Sequence, residues 1–170
     1  MFRNIIWDVD GTLFDTYPAI AKAIKAALND LGKDAPLTQI IALAKQSLNH
    51  CSAALTDMYQ LDRNELECVI DTHFDRITFE ESPPFPGVVE LCQYIRSIGG
   101  KNVIVTHRGR KGTQGLLTTH KLDEYFSGYI TRDDGYPRKP ALAAFEAALA
   151  IYHLEQEESL TVGDRDIDIL

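Results

Sequence analysis

The stretch IIWDVDGTLFD, residues 5–15, places two carboxylates one residue apart directly after a short apolar run. That run, Asn4 to Trp7, is typical of a buried β-strand that ends at a turn. In an extended chain Asp8 and Asp10 point to the same side, while Val9 points to the other. Two like charges on one side are unfavourable unless a cation, a shared proton or solvent relieves the repulsion. A lone Asp-x-Asp-Gly is also common in solvated turns, so the other strand ends decide between these interpretations.

Composition limits the class of protein. The chain has 170 residues, of which 45% are hydrophobic, which suits one domain or a core with a modest insertion. Its 17 basic and 25 acidic side chains give a formal charge of −8, which argues against nucleic acid as the main partner. The first residues hold one basic side chain and an apolar run that Asp8 interrupts, so we expect neither a signal peptide nor a membrane span there.

Three cysteines, Cys51, Cys68 and Cys92, are too widely spaced for a Cys-x-x-Cys clip, and their odd number does not suit a disulfide framework. A reduced cytosol is the expected location. We therefore expect a cytoplasmic protein that is a monomer or a weak homodimer and has no membrane or nucleic-acid partner.

Apolar runs and helical patterns alternate in the second half of the chain. The strand candidates are residues 4–7, 102–105, 128–131 and 160–162. Apolar residues at three-to-four spacing predict helices from Val88 to Ile98 and from Leu142 to Tyr152. Strands that alternate with helices predict an α/β fold with a parallel sheet covered on both faces.

The segment from Thr16 to Ser82 contains only helical patterns. Three of them follow one another, from Ile20 to Leu31, from Ile40 to Leu48 and from Leu66 to Ile77. A proline-rich strap at residues 83–87 follows. We therefore predict a core formed by residues 1–15 and 83–170, with a helical domain inserted at residues 16–82.

In an open parallel sheet, ligands bind beyond the carboxyl ends of the strands. The predicted strand ends bring Asp8 and Asp10, Thr106 and His107, Lys139, and the run GDRDID at residues 163–168 to this edge. Each residue taken singly also has a structural explanation. Thr106 could simply end a strand, Lys139 could begin a solvated helix, and Asp164 could cap a helix. Their joint placement, rather than any one of them, favours a functional site at this edge.

Four ordered motifs carry a family resemblance: DVDGTL at residues 8–13, VIVTH at 103–107, RKP at 138–140 and GDRDID at 163–168. The set resembles the haloacid dehalogenase superfamily of phosphotransferases across the whole chain. The resemblance implies a doubly wound, Rossmann-like parallel sheet in the order 4-1-2-3. It also implies that residues 16–82 form a helical cap of type 1.

Roles for the acidic residues follow from the resemblance. Asp8 would be the nucleophile, and Asp10 would give a proton to the leaving group and later take one from water. Mg²⁺ would be held by Asp8, the backbone carbonyl of Asp10 and Asp164, because this ion prefers hard oxygen ligands. Asp168 would orient the metal shell or pair with Lys139.

The phosphoryl group has its own expected partners. Thr106 would donate a hydrogen bond to it, and Lys139 would supply positive charge. Backbone N–H groups around Gly11 and His107 would add donors. The family commonly has Asn where His107 stands, so the imidazole either donates a hydrogen bond or only fills space. Arg108 and Arg165 suit solvated or acid-paired roles better than catalytic ones.

The implied activity is Mg²⁺-dependent hydrolysis of a small phosphate monoester, by resemblance to phosphoglycolate phosphatase and β-phosphoglucomutase. A general acid at Asp10 argues against a dehalogenase, because a halide leaving group needs no proton. The alternatives are a sugar phosphomutase and a catalytically weak phosphate- and Mg²⁺-binding signalling module. Signalling modules of the receiver type carry their acid pair and acceptor on different strands and lack a helical insertion.

A polar break within the insertion, LAKQSLNHC at residues 43–51, makes Lys45, Gln46, Ser47 and His50 candidates for substrate specificity. A solvated junction between two helices is the alternative for this break.

Relatives of this family continue beyond the fourth motif into a fifth strand, whereas this sequence stops at Leu170. We therefore expect either a fragment of a longer enzyme or a sheet completed by another chain.

Overall fold

The computed structural model describes residues 2–168, which divide into two compact units. The first unit combines the N-terminal segment through Asp15 with the segment from Pro83 onward, and the second spans Thr16–Ser82. The elements in chain order are β1 (Asn4–Trp7), α1 (Tyr17–Asp30), α2 (Leu37–Gln46), α3 (Leu48–Tyr59), α4 (Arg63–Phe74), α5 (Val88–Ser97), β2 (Asn102–Val105), α6 (Arg110–Thr119), β3 (Phe126–Ile130), α7 (Ala143–Tyr152) and β4 (Ser159–Val162).

The first unit is built on a parallel four-stranded sheet in the order β3-β2-β1-β4, which is the predicted 4-1-2-3 order. Ile6 of β1 lies opposite Val103 of β2 on one side and Thr161 of β4 on the other. The α/β class, the parallel sheet and its order are therefore confirmed. Among residues 2–168, β4 pairs with β1 alone.

Successive side chains along each strand point to opposite faces of the sheet, and each face packs against different helices. Ile6 and Val103 belong to a buried cluster with Phe145 of α7. On the opposite face Asn102 donates to the carbonyl of Cys92 in α5 at 3.0 Å. These contacts confirm a sheet covered on both faces.

Two elements differ from the sequence patterns. The helix α6 was not predicted, because Gly112 and Gly115 interrupt its interior and weaken its helical signal. The strand β3 begins at Phe126 rather than Gly128, because the β2–β3 pairing starts at Asn102 and then passes a register shift.

The chain leaves and re-enters the first unit through two adjacent segments. Asp15 donates its N–H to the carbonyl of Pro83 at 2.9 Å, and Phe85 donates to the carbonyl of Leu13 at 3.0 Å. The two segments therefore run side by side at the base of the insertion.

The second unit has four helices rather than three, because the polar break at residues 46–47 separates α2 from α3. Its core is an apolar cluster drawn from these helices and the connection between α1 and α2: Tyr17, Ala21, Ile24, Ala27, Leu28, Ala35, Ile40, Ala44, Cys51, Leu55, Leu66 and Ile70. No helix within residues 2–168 is both long enough and apolar enough to cross a membrane.

Candidate active site

Polar side chains gather where the parallel strands end. Asp8 directly follows β1, Thr106 follows β2 and Asp164 follows β4, and Lys139 reaches the same edge from the loop after β3. The backbone N–H of Asp8 still donates to Val162 at 2.9 Å, so the sheet fixes this residue at its boundary. The first unit therefore brings the predicted residues of all four motifs to one edge.

Lys139 lies at the centre of a buried charge cluster. Its ammonium donates to Asp8 Oδ1 at 2.6 Å, to Asp168 Oδ1 and to the carbonyl of Val105 at 3.1 Å. The side chain is 1% exposed. All three donors of the ammonium have acceptors, so this lysine holds both carboxylates in place.

One oxygen of Asp8 lacks a protein partner. Asp8 Oδ2 is buried and accepts no hydrogen bond from residues 2–168. The pKa of Asp8 is raised from 3.8 to about 6, chiefly by burial and in part by the nearby carboxylates of Asp168 and Asp10, and Lys139 only partly offsets this rise. Without a further cation, the site therefore disfavours the ionised form of Asp8, which is the predicted nucleophile.

The donor set suits a hard divalent cation. Oxygen atoms of Asp8, Asp164 and Asp168 lie within 4.8 Å of one another. The ammonium of Lys139 and the guanidinium of Arg165, whose Nε lies 3.9 Å from Asp164 and 3.8 Å from Asp168, offset two of the three carboxylate charges. One formal negative charge remains, and the unpartnered Oδ2 of Asp8 is a free ligand position. These residues therefore fit Mg²⁺, which prefers carboxylate oxygens.

A tight loop fixes the position of Asp168 within this cluster. Asp168 Oδ2 accepts from the backbone N–H of Arg165 at 3.2 Å, and the Asp168 N–H donates to the carbonyl of Arg165 at 2.9 Å. A Cβ on Gly163 would lie 2.1 Å from Cβ of Asp168, so this position requires glycine. The loop therefore holds Asp168 against Lys139.

Asp10 points to a different partner. Its carboxylate accepts from Nε of Arg108 at 3.1 and 3.2 Å and from Nη2 at 2.5 Å. The Asp10 side chain is 28% exposed, so solvent reaches it. Gly11, at φ 79°, turns the chain back, and its N–H donates to the carbonyl of Phe14 at 2.9 Å. Phosphate binding at Gly11 stays a prediction.

The residues that follow β2 have distinct settings. Thr106 is buried, and its Oγ1 accepts from the N–H of Arg108 at 3.1 Å. The hydroxyl proton can still donate to a ligand. His107 Nε2 accepts from the backbone N–H of Lys139 at 2.8 Å, so the imidazole ties the second motif to the third.

The specificity candidates lie at the junction of α2 and α3 in the second unit. Ser47 caps α3, and its Oγ accepts from the N–H of His50 at 3.0 Å. Lys45 Nζ lies 5.5 Å from the ring centroid of Tyr17, and Gln46 is the last residue of α2. These contacts give Ser47 a structural role, and substrate contacts at Lys45, Gln46 and Ser47 stay predictions.

The raised pKa of Asp8 gives a pH-dependent stability in metal-free protein. The folded chain binds this proton more tightly than the unfolded chain, so the protonated group stabilises the fold below pH 3.8, and this contribution is lost as the pH rises through about 6. At pH 7.5 with EDTA, we expect Asp8→Asn to raise the free energy of unfolding by up to about 3 kcal/mol. Denaturant unfolding at pH 7.5 and 5 measures this, and the gain should shrink at the lower pH. An Asp8→Asn variant less stable than wild type at pH 7.5 would contradict the expectation.

Sequence reasoning did not find two contacts of the site. The carbonyl of Val105, which accepts from Lys139, carries no sequence signal because every residue has a carbonyl. The approach of Arg138 Nη2 to within 3.5 Å of His107 Nδ1 joins residues 31 positions apart. The pairing of Arg108 with Asp10 agrees with the acid-paired role expected for this arginine.

Comparison with known proteins supports a common origin for this arrangement. A family model described as haloacid dehalogenase-like hydrolase matches residues 5–170. Pyrophosphatase PpaX of Bacillus cereus (strain Q1) is 28% identical, over 99% of this chain and 77% of the relative. Phosphoglycolate phosphatase of Photobacterium profundum is 27% identical, over 99% of this chain and 77% of the relative.

Solved structures agree at the level of the fold. The crystal structure of a predicted phosphoglycolate phosphatase from Haemophilus somnus 129PT superimposes with a TM-score of 0.83 and 25% identity. The match covers 98% of this chain and 79% of that one.

Proposed function

Because the chain belongs to the haloacid dehalogenase-like hydrolase family and is a phosphohydrolase, we propose that it hydrolyses a small phosphate ester with Mg²⁺ and an aspartyl-phosphate intermediate on Asp8. The observation that carries the proposal is the buried Asp8, one oxygen bound by Lys139 and the other without a partner among residues 2–168. The family match over residues 5–170 argues against a receiver-type signalling module.

In the first half-reaction a carboxylate oxygen of Asp8 attacks phosphorus. The bond between this oxygen and phosphorus forms as the bond to the leaving oxygen breaks, and Asp10 gives that oxygen a proton. Lys139 and the hydroxyl of Thr106 stabilise the charge on the phosphoryl oxygens. Arg108 orients the Asp10 carboxylate through Nε and Nη2.

In the second half-reaction water replaces Asp8. Asp10 takes a proton from the attacking water, the new bond from oxygen to phosphorus forms, and the acyl-phosphate bond breaks. Asp8 returns to its carboxylate form, and inorganic phosphate leaves. One residue thus acts first as acid and then as base, which restores the protonation state of the site after each turnover.

Asp8 and Asp164 are the side chains that would hold the metal, the backbone carbonyl of Asp10 is the further proposed ligand, and Asp168 lies beside them. Bound Mg²⁺ would neutralise charge on the phosphate and on Asp8, which otherwise repel each other. Asp168 already accepts from Lys139 and the Arg165 N–H, so its main part is to hold Lys139 and the loop in place.

The substrate is proposed to be a small phosphorylated metabolite. Relatives carry the names phosphoglycolate phosphatase and pyrophosphatase, so phosphoglycolate and inorganic pyrophosphate are the first compounds to assay. The assignment of Thr16–Ser82 as a cap stays a prediction beside this proposal.

Metal removal tests the proposal. With Mg²⁺ we expect phosphate release from p-nitrophenyl phosphate and from the two candidate substrates. With EDTA we expect the rate to fall at least about 100-fold, because the charge repulsion at Asp8 is no longer offset. Adding excess Mg²⁺ back to the same sample is the control and should restore turnover. Equal rates with EDTA and with Mg²⁺ would contradict the proposal.

A further inference from the structure

The imidazole of His107 has a defined tautomer. Its Nε2 lies 2.8 Å from the backbone nitrogen of Lys139, which can only donate, so Nε2 carries no proton. Burial and the positive charges of Lys139 and Arg138 lower the pKa of His107 to about 4, so the ring is neutral at neutral pH. A neutral imidazole has one N–H, and here it must lie on Nδ1.

That N–H faces another donor. Nη2 of Arg138 lies 3.5 Å from His107 Nδ1, and a guanidinium nitrogen cannot accept a hydrogen bond. The two groups therefore do not bond to each other. Among residues 2–168, no carboxylate forms an ion pair with Arg138, although the chain carries a formal charge of −8. The two groups form a donor pair without a protein acceptor among residues 2–168, and because Arg138 is exposed, a ligand would replace solvent there.

The donor pair lies next to the proposed phosphoryl site. His107 follows Thr106 in the chain, and Arg138 precedes Lys139, so each donor is one residue from a proposed phosphate-binding side chain. The same four residues line one small pocket at this edge of the sheet. Thr106 and Lys139 thus contribute atoms to the wall of the same pocket as the donor pair, and this shared wall is the observation that puts the pair beside the proposed phosphoryl site.

We propose that Nδ1–H of His107 and the guanidinium of Arg138 form a subsite for a second anionic group on the substrate, a carboxylate or a phosphate, beside the phosphoryl group that is transferred. An anionic oxygen about 2.9 Å from each nitrogen satisfies both donors at once. This inference rests on the proposed phosphatase function and deepens it, since it assigns the site to substrates with two anions.

The test compares kcat/KM for three compounds with Mg²⁺ present. Phosphoglycolate offers a carboxylate as the second anion, pyrophosphate offers a phosphate, and ethyl phosphate offers neither. We expect Arg138→Gln to lower kcat/KM for the two-anion substrates about tenfold or more relative to ethyl phosphate, mainly through KM, because one charge-assisted hydrogen bond is lost. Arg138→Lys should recover part of this preference.

Two further variants sharpen the comparison. His107→Gln places an acceptor near the Lys139 N–H but removes the donor at the Nδ1 position, so it should reduce the preference in the same direction. Lys111→Gln makes the same charge change as Arg138→Gln at an exposed position of α6, and its substrate preference should match wild type.

The possible outcomes separate the two proposals. If the variants lose the preference for only one of the two-anion substrates, the second anion of that substrate is the group that the subsite binds. An unchanged preference in both Arg138→Gln and His107→Gln overturns the subsite but leaves the phosphatase function standing. A wild-type preference for ethyl phosphate also overturns the subsite alone. If wild type hydrolyses p-nitrophenyl phosphate but none of the three, the subsite fails alone. If it hydrolyses none of the four, the proposed function fails and the subsite fails with it.

Discussion

Asp8→Asn should release no phosphate above background from any substrate that the wild type hydrolyses, a loss of at least about 10⁴-fold. The amide has nearly the shape of the carboxylate but is a poor nucleophile and a weaker metal ligand. Its oxygen can still accept the hydrogen bond from Lys139 that Asp8 Oδ1 accepts at 2.6 Å. The loss should therefore come from chemistry rather than from a damaged fold. Initial rates with saturating Mg²⁺ measure it.

A stability measurement distinguishes a loss of chemistry in Asp8→Asn from a loss of folding. We expect Asp8→Asn to be at least as stable as wild type in metal-free buffer, because it removes a buried carboxylate whose pKa is raised to about 6. The matched control is Asp57→Asn, the same change at an exposed position of α3, which should keep wild-type turnover. Near-normal phosphate release by Asp8→Asn would exclude Asp8 as the nucleophile.

Lys139→Met should damage both activity and stability. The ammonium is 1% exposed and joins Asp8 to Asp168, so its removal leaves two buried carboxylates without their cation. Breaking a buried ion pair from one side costs about 3–5 kcal/mol. We expect a loss of that order in the free energy of unfolding and a fall in kcat/KM of at least about 100-fold. Denaturant unfolding and initial rates measure the two effects.

The double variant Lys139→Met with Asp8→Asn separates these effects. Neutralising Asp8 should restore part of the lost stability, because one uncompensated carboxylate is removed, but it should not restore turnover. Lys111→Met, at an exposed position of α6, serves as the control for the substitution itself. If Lys139→Met unfolds at the same denaturant concentration as wild type, the central role given to this lysine is wrong.

The fold could be predicted because its signals are local. The apolar run before Asp8 predicted β1 with its observed bounds, and alternating strands and helices predicted the parallel sheet. Two helices were harder to predict. The interior glycines of α6 weaken its pattern, and α3 buries Cys51 and Ser52, which carry little hydrophobic signal.

The site could be predicted only in part, because side-chain partners depend on long-range geometry. Motif order placed Asp8, Lys139 and Asp164 at one edge of the sheet. Nothing in the sequence says that Arg108 binds Asp10 across 98 positions. The tautomer of His107 is likewise fixed by the backbone of Lys139, a contact that appears only when the two loops are packed together.

Covalent trapping of the phosphoryl group tests the central claim most directly. Asp10→Asn should slow both half-reactions. With an aryl phosphate, whose leaving group needs little protonation, it should slow the second step more, because no base is left to activate water. The variant is mixed with Mg²⁺ and a substrate labelled in its phosphoryl group, and the reaction is quenched in acid after one turnover and mapped by peptide mass spectrometry. We expect the label on Asp8 and none in the double variant with Asp8→Asn. Phosphate release at the same turnover without label on Asp8, or label on another residue, would contradict the account.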